Sequence, residues 1–369
     1  MSGRITHRAK DWRLCAALIC LAAVPGCGGG SSGATPAPAP APVPAPAPAP
    51  TPTPSAVPVL TQANTRIGAC INMGNHLEAP REGDWGRPIA ADDFTQIAAR
   101  GFQTVRLPVR FSNHAATNAP YAIDAAFMTR VEQVVDSARA AGLRVILDLH
   151  HYEDPQGDLF TDPAGQTVRF AALWKQVAER FKNKDGQVWF ELINEPHGSL
   201  THANLRSVID PALREVRLTN PTRPVVIGGE LWSGIASLAT LPLPDDAYLV
   251  ATFHSYDPFN FTHQGAPWVT PALPTGVSYP RGTDAADLAA NVQKAKDFIA
   301  RTGRPVFLGE YGAYEGIPLA QRATYYGAMH DAYAAAGIDS CAWAYTNTMP
   351  LRDPATGAWV TQLLAAIGL

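Results

Sequence analysis

The sequence predicts an α/β fold, a (β/α)8 or TIM barrel in a single domain. From residue 66 onward, eight short apolar or β-branched runs alternate with amphipathic stretches at helical spacing. The part of the chain that carries this alternation, residues 59–369, has the length of an ordinary barrel. Polar residues collect where the apolar runs end, which is where a barrel places its chemistry.

Glycine, proline, asparagine and aspartate separate the predicted strands from the helices. The strands are predicted at 67–71, 104–108, 144–149, 188–193, 225–228, 249–254, 306–309 and 340–345. The clearest helical patterns cover 124–141, 166–182, 202–219, 284–301 and 319–336. Eight strands joined by helices imply a closed parallel sheet.

The first 58 residues are predicted to lie outside the fold. Residues 1–27 have a basic start, an apolar run too short to span a bilayer, and Cys27 at the end, a layout that resembles a lipoprotein signal peptide. Residues 28–58 pass from Gly and Ser into a Pro/Ala/Thr repeat typical of a semi-rigid tether. We expect an extracytoplasmic protein, lipid-anchored at the bacterial cell envelope or surface; an ordinary secreted protein is the alternative.

The net charge limits the classes of partner that the protein could bind. The formal net charge is −3 and no Lys/Arg run follows the signal, so neither nucleic acid nor an anionic membrane surface is indicated.

Cys70 and Cys341 fall in the first and last strands, which are neighbours in a closed barrel. They could form a disulfide or remain two buried thiols.

Two glutamates follow buried strands. Glu195 comes after the fourth strand and Glu310 after the seventh, so both should reach the same rim from opposite sides. A carboxyl pair across a cleft is what a retaining glycosidase uses, with one group as acid and the other as nucleophile.

Further polar groups end other strands: Arg106, His150, His151, His254, Tyr256 and Trp343. Taken singly, a histidine or arginine here would more often be structural, but together they predict a catalytic constellation. An arginine beside Glu310 would keep it ionised, and a tyrosine hydroxyl could hold its oxygen. The histidines lack metal-binding spacing, and no Gly-x-Ser-x-Gly elbow occurs, so we expect no metal or other cofactor and no serine-hydrolase mechanism.

The ordered strand-end motifs resemble glycoside hydrolase family 5, which contains cellulases and mannanases. They are Val-Arg-Leu-Pro at 105–108, Leu-His-His-Tyr at 149–152, Leu-Ile-Asn-Glu-Pro at 192–196, His-Ser-Tyr at 254–256 and Leu-Gly-Glu-Tyr-Gly at 308–312. The resemblance implies Glu195 as general acid/base, Glu310 as nucleophile, and Asn194 bound to the sugar 2-hydroxyl. It also implies that Arg106 and His150 support the nucleophile, while His254 and Tyr256 flank the catalytic pair.

Two loops extend the resemblance. Residues 74–80 and 82–86 are similar to the first β/α loop of bacterial endoglucanases, which gives Asn75 and Glu78 a glycon-side contact; the alternative is that they only hold the loop. Trp268 is predicted as a leaving-group-side platform, with Phe259 and Phe261 in packing roles.

The predicted activity is endo-β-1,4-glucan hydrolysis by a monomer acting on β-linked polysaccharide or oligosaccharide. A β-mannanase or mixed glucan/mannan enzyme is the alternative, since Trp343 is followed by Ala344 where the family usually has an acidic or amide residue, and His76 stands where relatives often have a small one. A surface lipoprotein that binds polysaccharide without cutting it is a third hypothesis.

Overall fold

The computed structural model describes residues 59–155 and 157–369. The predicted signal peptide and linker, residues 1–58, lie outside the described residues. Within them, eight parallel strands close into a barrel in the order β1-β8-β7-β6-β5-β4-β3-β2. These strands are β1 Cys70–Asn72, β2 Thr104–Val109, β3 Arg144–Leu149, β4 Val188–Glu191, β5 Val225–Gly228, β6 Leu249–His254, β7 Val306–Tyr311 and β8 Ser340–Ala342. The predicted fold class is confirmed.

Helices surround the barrel, and their ends follow local signals in the sequence. They are α1 Asp93–Ala99, α2 Ala125–Ala140, α3 Pro163–Phe181, α4 His202–Thr219, α5 Glu230–Ser233, α6 Phe259–Thr262, α7 Asp284–Thr302, α8 Leu319–Ala335 and α9 Thr361–Ala366. The prediction started α3 at residue 166, but Asp162 caps the helix earlier by accepting from the Gly165 N–H at 3.0 Å. Among the described helices, none is long and apolar enough to cross a membrane.

The predicted strand bounds were wrong by two or more residues at four strands. The first strand begins at Cys70 and not at 67, the fourth ends at Glu191 and not at 193, the seventh ends at Tyr311 and not at 309, and the eighth ends at Ala342 and not at 345. An apolar run was therefore a poor guide to where strand pairing stops. In the fourth and eighth strands, the apolar residues continue into the loops that line the cleft.

The interior of the barrel changes character from bottom to top. Strand neighbours two apart point to the same side, which puts Ile146 with Asp148 and Trp189 with Glu191. Ile146 and Trp189 pack in an apolar cluster with residues of the other strands. Asp148 and Glu191 are one layer further along, fully buried. The layer of the interior that contains Asp148 and Glu191 is therefore charged, and it lies just below the rim formed by the carboxyl ends of the strands.

The barrel is closed by a covalent bond as well as by the sheet. Cys70 and Cys341 occupy paired positions of β1 and β8 and form a disulfide across a sequence separation of 271 residues. This resolves the choice between a bridge and two thiols. A cross-link of so long a loop restricts the unfolded chain strongly.

We expect the double variant Cys70→Ala/Cys341→Ala to lose about 2–4 kcal/mol of folding stability, because the unfolded chain regains its freedom. For a domain of this size the melting temperature should fall by about 5–10 °C. Differential scanning calorimetry measures it, and added reductant should leave the variant's melting temperature unchanged. Equal melting temperatures for variant and wild type would show that the bond contributes nothing.

Candidate active site

The site is organised around Arg106, a fully buried cation on β2. Its guanidinium forms a two-pronged contact with Glu191, Nε to Oε2 at 2.7 Å and Nη2 to Oε1 at 2.8 Å. It also lies 3.0 Å from Asp148 and 2.7 Å from Glu310. Although burial works against the charge, Asp148 and Glu191 hold the pKa of Arg106 well above its ordinary value. The guanidinium is thus a fixed positive charge beneath Glu310.

Glu310 has both carboxylate oxygens engaged. Oε1 accepts from Arg106 Nη1 at 2.7 Å, and Oε2 accepts from the Tyr256 hydroxyl at 2.8 Å. The sequence predicted Glu310 just after the seventh strand, but the residue lies inside β7, so its backbone is held by the sheet. Burial raises the pKa of Glu310 to about 7, and the contacts with His254, Arg106 and Tyr256 oppose that rise.

Glu195 is held differently, on the loop after β4. Its backbone is left-handed, with φ 46°, a conformation that costs a residue with a side chain about 1–3 kcal/mol. Its Oε1 lies 2.8 Å from His254 Nδ1, and its side chain is 24% exposed, against 6% for Glu310. Burial raises the pKa of Glu195 to about 7. The more accessible carboxyl, without an arginine contact, is the one suited to carry the proton.

The two glutamates are close enough to act on one bond. A carboxylate oxygen of Glu195, a ring nitrogen of His254 and a carboxylate oxygen of Glu310 all lie within 4.8 Å of one another. The same three groups could be considered as metal ligands. A metal cation bound there would be close to the fixed positive charge of Arg106, which lies 2.7 Å from Glu310. Acid/base chemistry between the two carboxyls needs only the groups already present.

Asn194 is fixed from two sides. Its Oδ1 accepts from Arg106 Nη2 at 2.8 Å, and its Nδ2 lies 3.3 Å from His150 Nε2. The other ring nitrogen of His150 lies 2.7 Å from Asp148. Burial lowers the pKa of His150 well below its usual range. A neutral His150 donates to Asp148 and accepts from Asn194, which orients the amide that should meet a sugar hydroxyl.

The aromatic residues predicted at the rim line the cleft. The Trp343 ring lies nearly parallel to His150, with centroids 5.9 Å apart, and a Cβ on Gly74 would come within 2.5 Å of it. The Trp343 ring is therefore directed towards His150 and the first loop. His151 sits edge-on to both His150 and Trp85, at 4.3 and 5.7 Å.

Not every predicted contact residue is placed to meet a ligand. Glu78 is fully buried and accepts from the backbone N–H groups of Asn75 and His76, so the structure favours its loop-holding role. Asn75 Nδ2 lies 3.5 Å from Thr348 Oγ1, which links the first loop to the last. His76 is buried, with Nδ1 2.8 Å from the Gly74 carbonyl, and supports the same loop.

The aromatic loop after β6 is mixed. Trp268 is 44% exposed and makes edge-on contacts with Tyr314 at 5.1 Å and His263 at 6.3 Å, so part of its ring is accessible for the predicted platform role. Phe261 is buried, as a packing role requires. Phe259 is 47% exposed and stacks on His263 at 4.1 Å, so it is available to solvent as well as to packing.

Sequence reasoning missed several residues of the site. Asp148, Glu191 and Asn72 contact Arg106 from inside the barrel. A charge in the middle of an apolar strand was the available signal, because such a group must find a partner. Trp232, 41% exposed after β5, was missed because no strand-end residue was sought there.

Comparisons with known proteins identify the family. The family model for cellulase (glycosyl hydrolase family 5) matches residues 63–349. The chain belongs to glycosyl hydrolase family 5. Endoglucanase H of Acetivibrio thermocellus is 35% identical over 313 residues, which are 82% of this chain and 33% of that protein. The chain thus spans about a third of the length of this curated family 5 relative.

Solved structures of the family match over nearly their whole length. Cel5A of Thermotoga maritima, solved with cellobiose, has a TM-score of 0.79 at 34% identity, and the match covers 82% of this chain and 97% of that one. The same enzyme solved with mannotriose gives 0.78 at 34% identity and the same coverage. The chain is a glycoside hydrolase with the family 5 barrel, as the sequence predicted.

Proposed function

We propose that the protein is a retaining endo-β-1,4-glucanase. The observation that carries this proposal is the separation of the two catalytic carboxyls, whose nearest oxygens lie within 4.8 Å. Retaining glycosidases place their carboxyl groups about 5–5.5 Å apart, whereas inverting enzymes need about 6.5–9.5 Å to admit a water molecule. The shorter separation favours direct attack by one carboxylate on the sugar.

In the first step, Glu310 attacks the anomeric carbon while Glu195 donates its proton to the departing glycosidic oxygen. A C–O bond forms to Glu310 as the bond to the leaving sugar breaks. The contacts of Arg106 and Tyr256 with Glu310 stabilise the carboxylate form needed for attack. Glu195 accepts no hydrogen bond from Arg106, and burial raises its pKa to about 7, so a proton is available on it near neutral pH.

In the second step, the ionised Glu195 removes a proton from water, and the oxygen of that water displaces Glu310 from the anomeric carbon. Two inversions leave the configuration unchanged. The proton returned to Glu195 restores the starting state. His254 Nδ1, 2.8 Å from Glu195 and 3.7 Å from Glu310, lies between the two carboxyls; burial lowers its pKa to about 4, so it is neutral while both steps proceed.

A mixed glucan/mannan activity is the second candidate. Cel5A, at 34% identity, has been solved with both cellobiose and mannotriose. Glucose and mannose differ only in the orientation of the 2-hydroxyl, the group that Asn194 is proposed to meet. Binding of polysaccharide without cleavage is disfavoured, since both carboxyls are in place.

The test is the release of reducing ends by the purified protein from carboxymethylcellulose, mixed-linkage β-glucan and galactomannan, assayed separately. We expect the two glucans to be cut faster. Faster cleavage of galactomannan would move the function to mannanase. Binding of the polysaccharides with no reducing ends released would overturn the enzymatic proposal.

We also propose that Cys27 anchors the protein to the cell envelope through a lipid, with the catalytic domain outside the cytoplasm. The disulfide of Cys70 and Cys341 supports an oxidising compartment. Labelled palmitate should enter the wild-type protein and not a Cys27→Ser variant. Absence of label from both would leave the secreted alternative.

That the protein is a monomer remains a prediction.

A further inference from the structure

The loop that carries Glu195 is held by a histidine two residues further on. His197 Nδ1 lies 2.7 Å from the backbone carbonyl of Glu195, the residue with the left-handed φ of 46°. A carbonyl oxygen only accepts hydrogen bonds, so Nδ1 must carry the hydrogen. The contact therefore bears directly on the peptide group whose unusual conformation aims the Glu195 side chain.

The other nitrogen of the same ring meets a second acceptor. His197 Nε2 lies 3.1 Å from the Glu153 carboxylate, on the short hairpin Glu153–Asp154 and Gly157–Asp158 that follows β3. With a carbonyl on one side and a carboxylate on the other, both nitrogens donate, which is the hydrogen-bonding pattern of the imidazolium ion. His197 is therefore cationic in this arrangement.

Aromatic rings fix the plane of the imidazolium. The Phe160 ring stacks on the His197 ring with centroids 4.1 Å apart and an interplanar angle of 23°. The Trp232 ring stacks on it with centroids 5.0 Å apart and an angle of 10°. The backbone N–H of Trp232 also donates a hydrogen bond to the Pro196 carbonyl at 3.0 Å. Loops after three strands, β3, β4 and β5, thus meet at one side chain beside the acid/base residue.

We propose that His197 is a positioning residue for Glu195: its imidazolium, paired with Glu153, fixes the Glu195 peptide and supplies a positive charge that favours the ionised form of Glu195 required in the second step. This inference rests on the proposed acid/base role of Glu195. It assigns no contact with substrate to His197.

The charges around His197 predict the direction in which the pKa of Glu195 should shift when His197 or Glu153 is replaced. The carboxyl groups of Glu195 and Glu153 both act on His197. His151 and Arg110 act on Glu153, and His151 also interacts with His197. Burial opposes the charge on His197, but the contacts with Glu153 and with Glu195 together outweigh it and raise the pKa of His197. Burial raises the pKa of Glu195, whereas the charge of His197 lowers it and that of Glu153 raises it. Removing His197 should therefore raise the pKa of Glu195. Removing Glu153 takes away its own negative charge and the partner that keeps His197 charged, so the pKa of Glu195 should rise by a smaller amount.

The experiment compares pH profiles of kcat/KM on a β-cellobioside with a poor leaving group, whose alkaline limb reports loss of the Glu195 proton. His197→Asn keeps a neutral donor near the Nδ1 position, and we expect its alkaline limb to move up by about half a pH unit or more. Glu153→Gln removes a negative charge and also the partner that keeps the imidazolium charged, so its limb should move up as well, but by less than that of His197→Asn. His197→Phe keeps the ring but loses the donor, and kcat should fall about tenfold further.

The matched control is His330→Asn, an exchange at a partly exposed residue of α8 that contacts Asp331. Its profile should overlay the wild type. Equal losses at every pH in His197→Asn and Glu153→Gln, with neither limb displaced, would overturn the inference and leave a purely structural role. Should the His197 variants fail to fold, the upward shift in Glu153→Gln decides alone. A wild type that hydrolyses no β-1,4-glucan would instead overturn the proposed function, and this inference with it.

Discussion

Glu310→Gln is expected to lower kcat/KM on cellotetraose at least about 10⁴-fold, because the amide cannot form the bond to the anomeric carbon. The fold should survive, since Arg106 retains Glu191 and Asp148 as partners when the charge on Glu310 is removed. Initial rates and the melting temperature of the same preparation measure both halves of the prediction.

The pH dependence of stability sharpens this expectation. Burial raises the pKa of Glu310 from 4.5 to about 7. A carboxyl whose pKa is raised by folding stabilises the folded state only while it is protonated, so that contribution is lost as the pH rises from about 4.5 to about 7. The neutral amide does not titrate, and the melting temperature of Glu310→Gln at pH 8 should therefore equal or exceed that of the wild type.

Glu315→Gln is the matched control, because Glu315 is an exposed glutamate on the loop that follows β7. It should keep wild-type activity. A second check uses Glu310→Ala with added azide, which can occupy the space of the missing carboxylate and attack the same face of the sugar. The product should be the α-glycosyl azide. Substantial hydrolysis by Glu310→Gln would exclude Glu310 as the nucleophile.

The barrel and the positions of the two glutamates could be predicted because both depend on local patterns. Each strand is a short apolar run between turn residues, and a parallel barrel brings every strand end to one rim. Glu195 and Glu310 were found by that rule alone, with no knowledge of distances. The same rule located Arg106, His254 and Tyr256, whose contacts with the two carboxyls the structure supplies.

What the sequence did not predict depends on three-dimensional partners. Glu78 was a plausible sugar contact until its burial and its bonds to the Asn75 and His76 N–H groups were visible. The role of His197 could not be read from its position either, because Glu153 lies on a different loop and the left-handed backbone of Glu195 has no sequence signature. Side-chain direction at Trp343 likewise required the position of Gly74 beneath it.

Glu195→Ala should separate substrates by the acidity of their leaving group. On cellotetraose, whose departing sugar needs a proton, we expect kcat/KM to fall about 10²- to 10⁴-fold. On a dinitrophenyl β-cellobioside, whose phenolate leaves unaided, kcat/KM should change little. The second step still lacks its base, so kcat on that substrate should fall and the covalent intermediate on Glu310 should accumulate. Stopped-flow release of dinitrophenol would then show a burst equal to the enzyme concentration.

Azide distinguishes this variant from the Glu310 variant by the stereochemistry of its product. In Glu195→Ala the nucleophile is intact, so azide would attack the glycosyl-enzyme from the face opposite Glu310, accelerate the slow second step and yield the β-glycosyl azide. The opposite products of the two variants follow from one assignment, Glu310 on one face of the sugar and Glu195 on the other. Equal losses on both substrates, without a burst or azide acceleration, would show that Glu195 is not the acid/base residue.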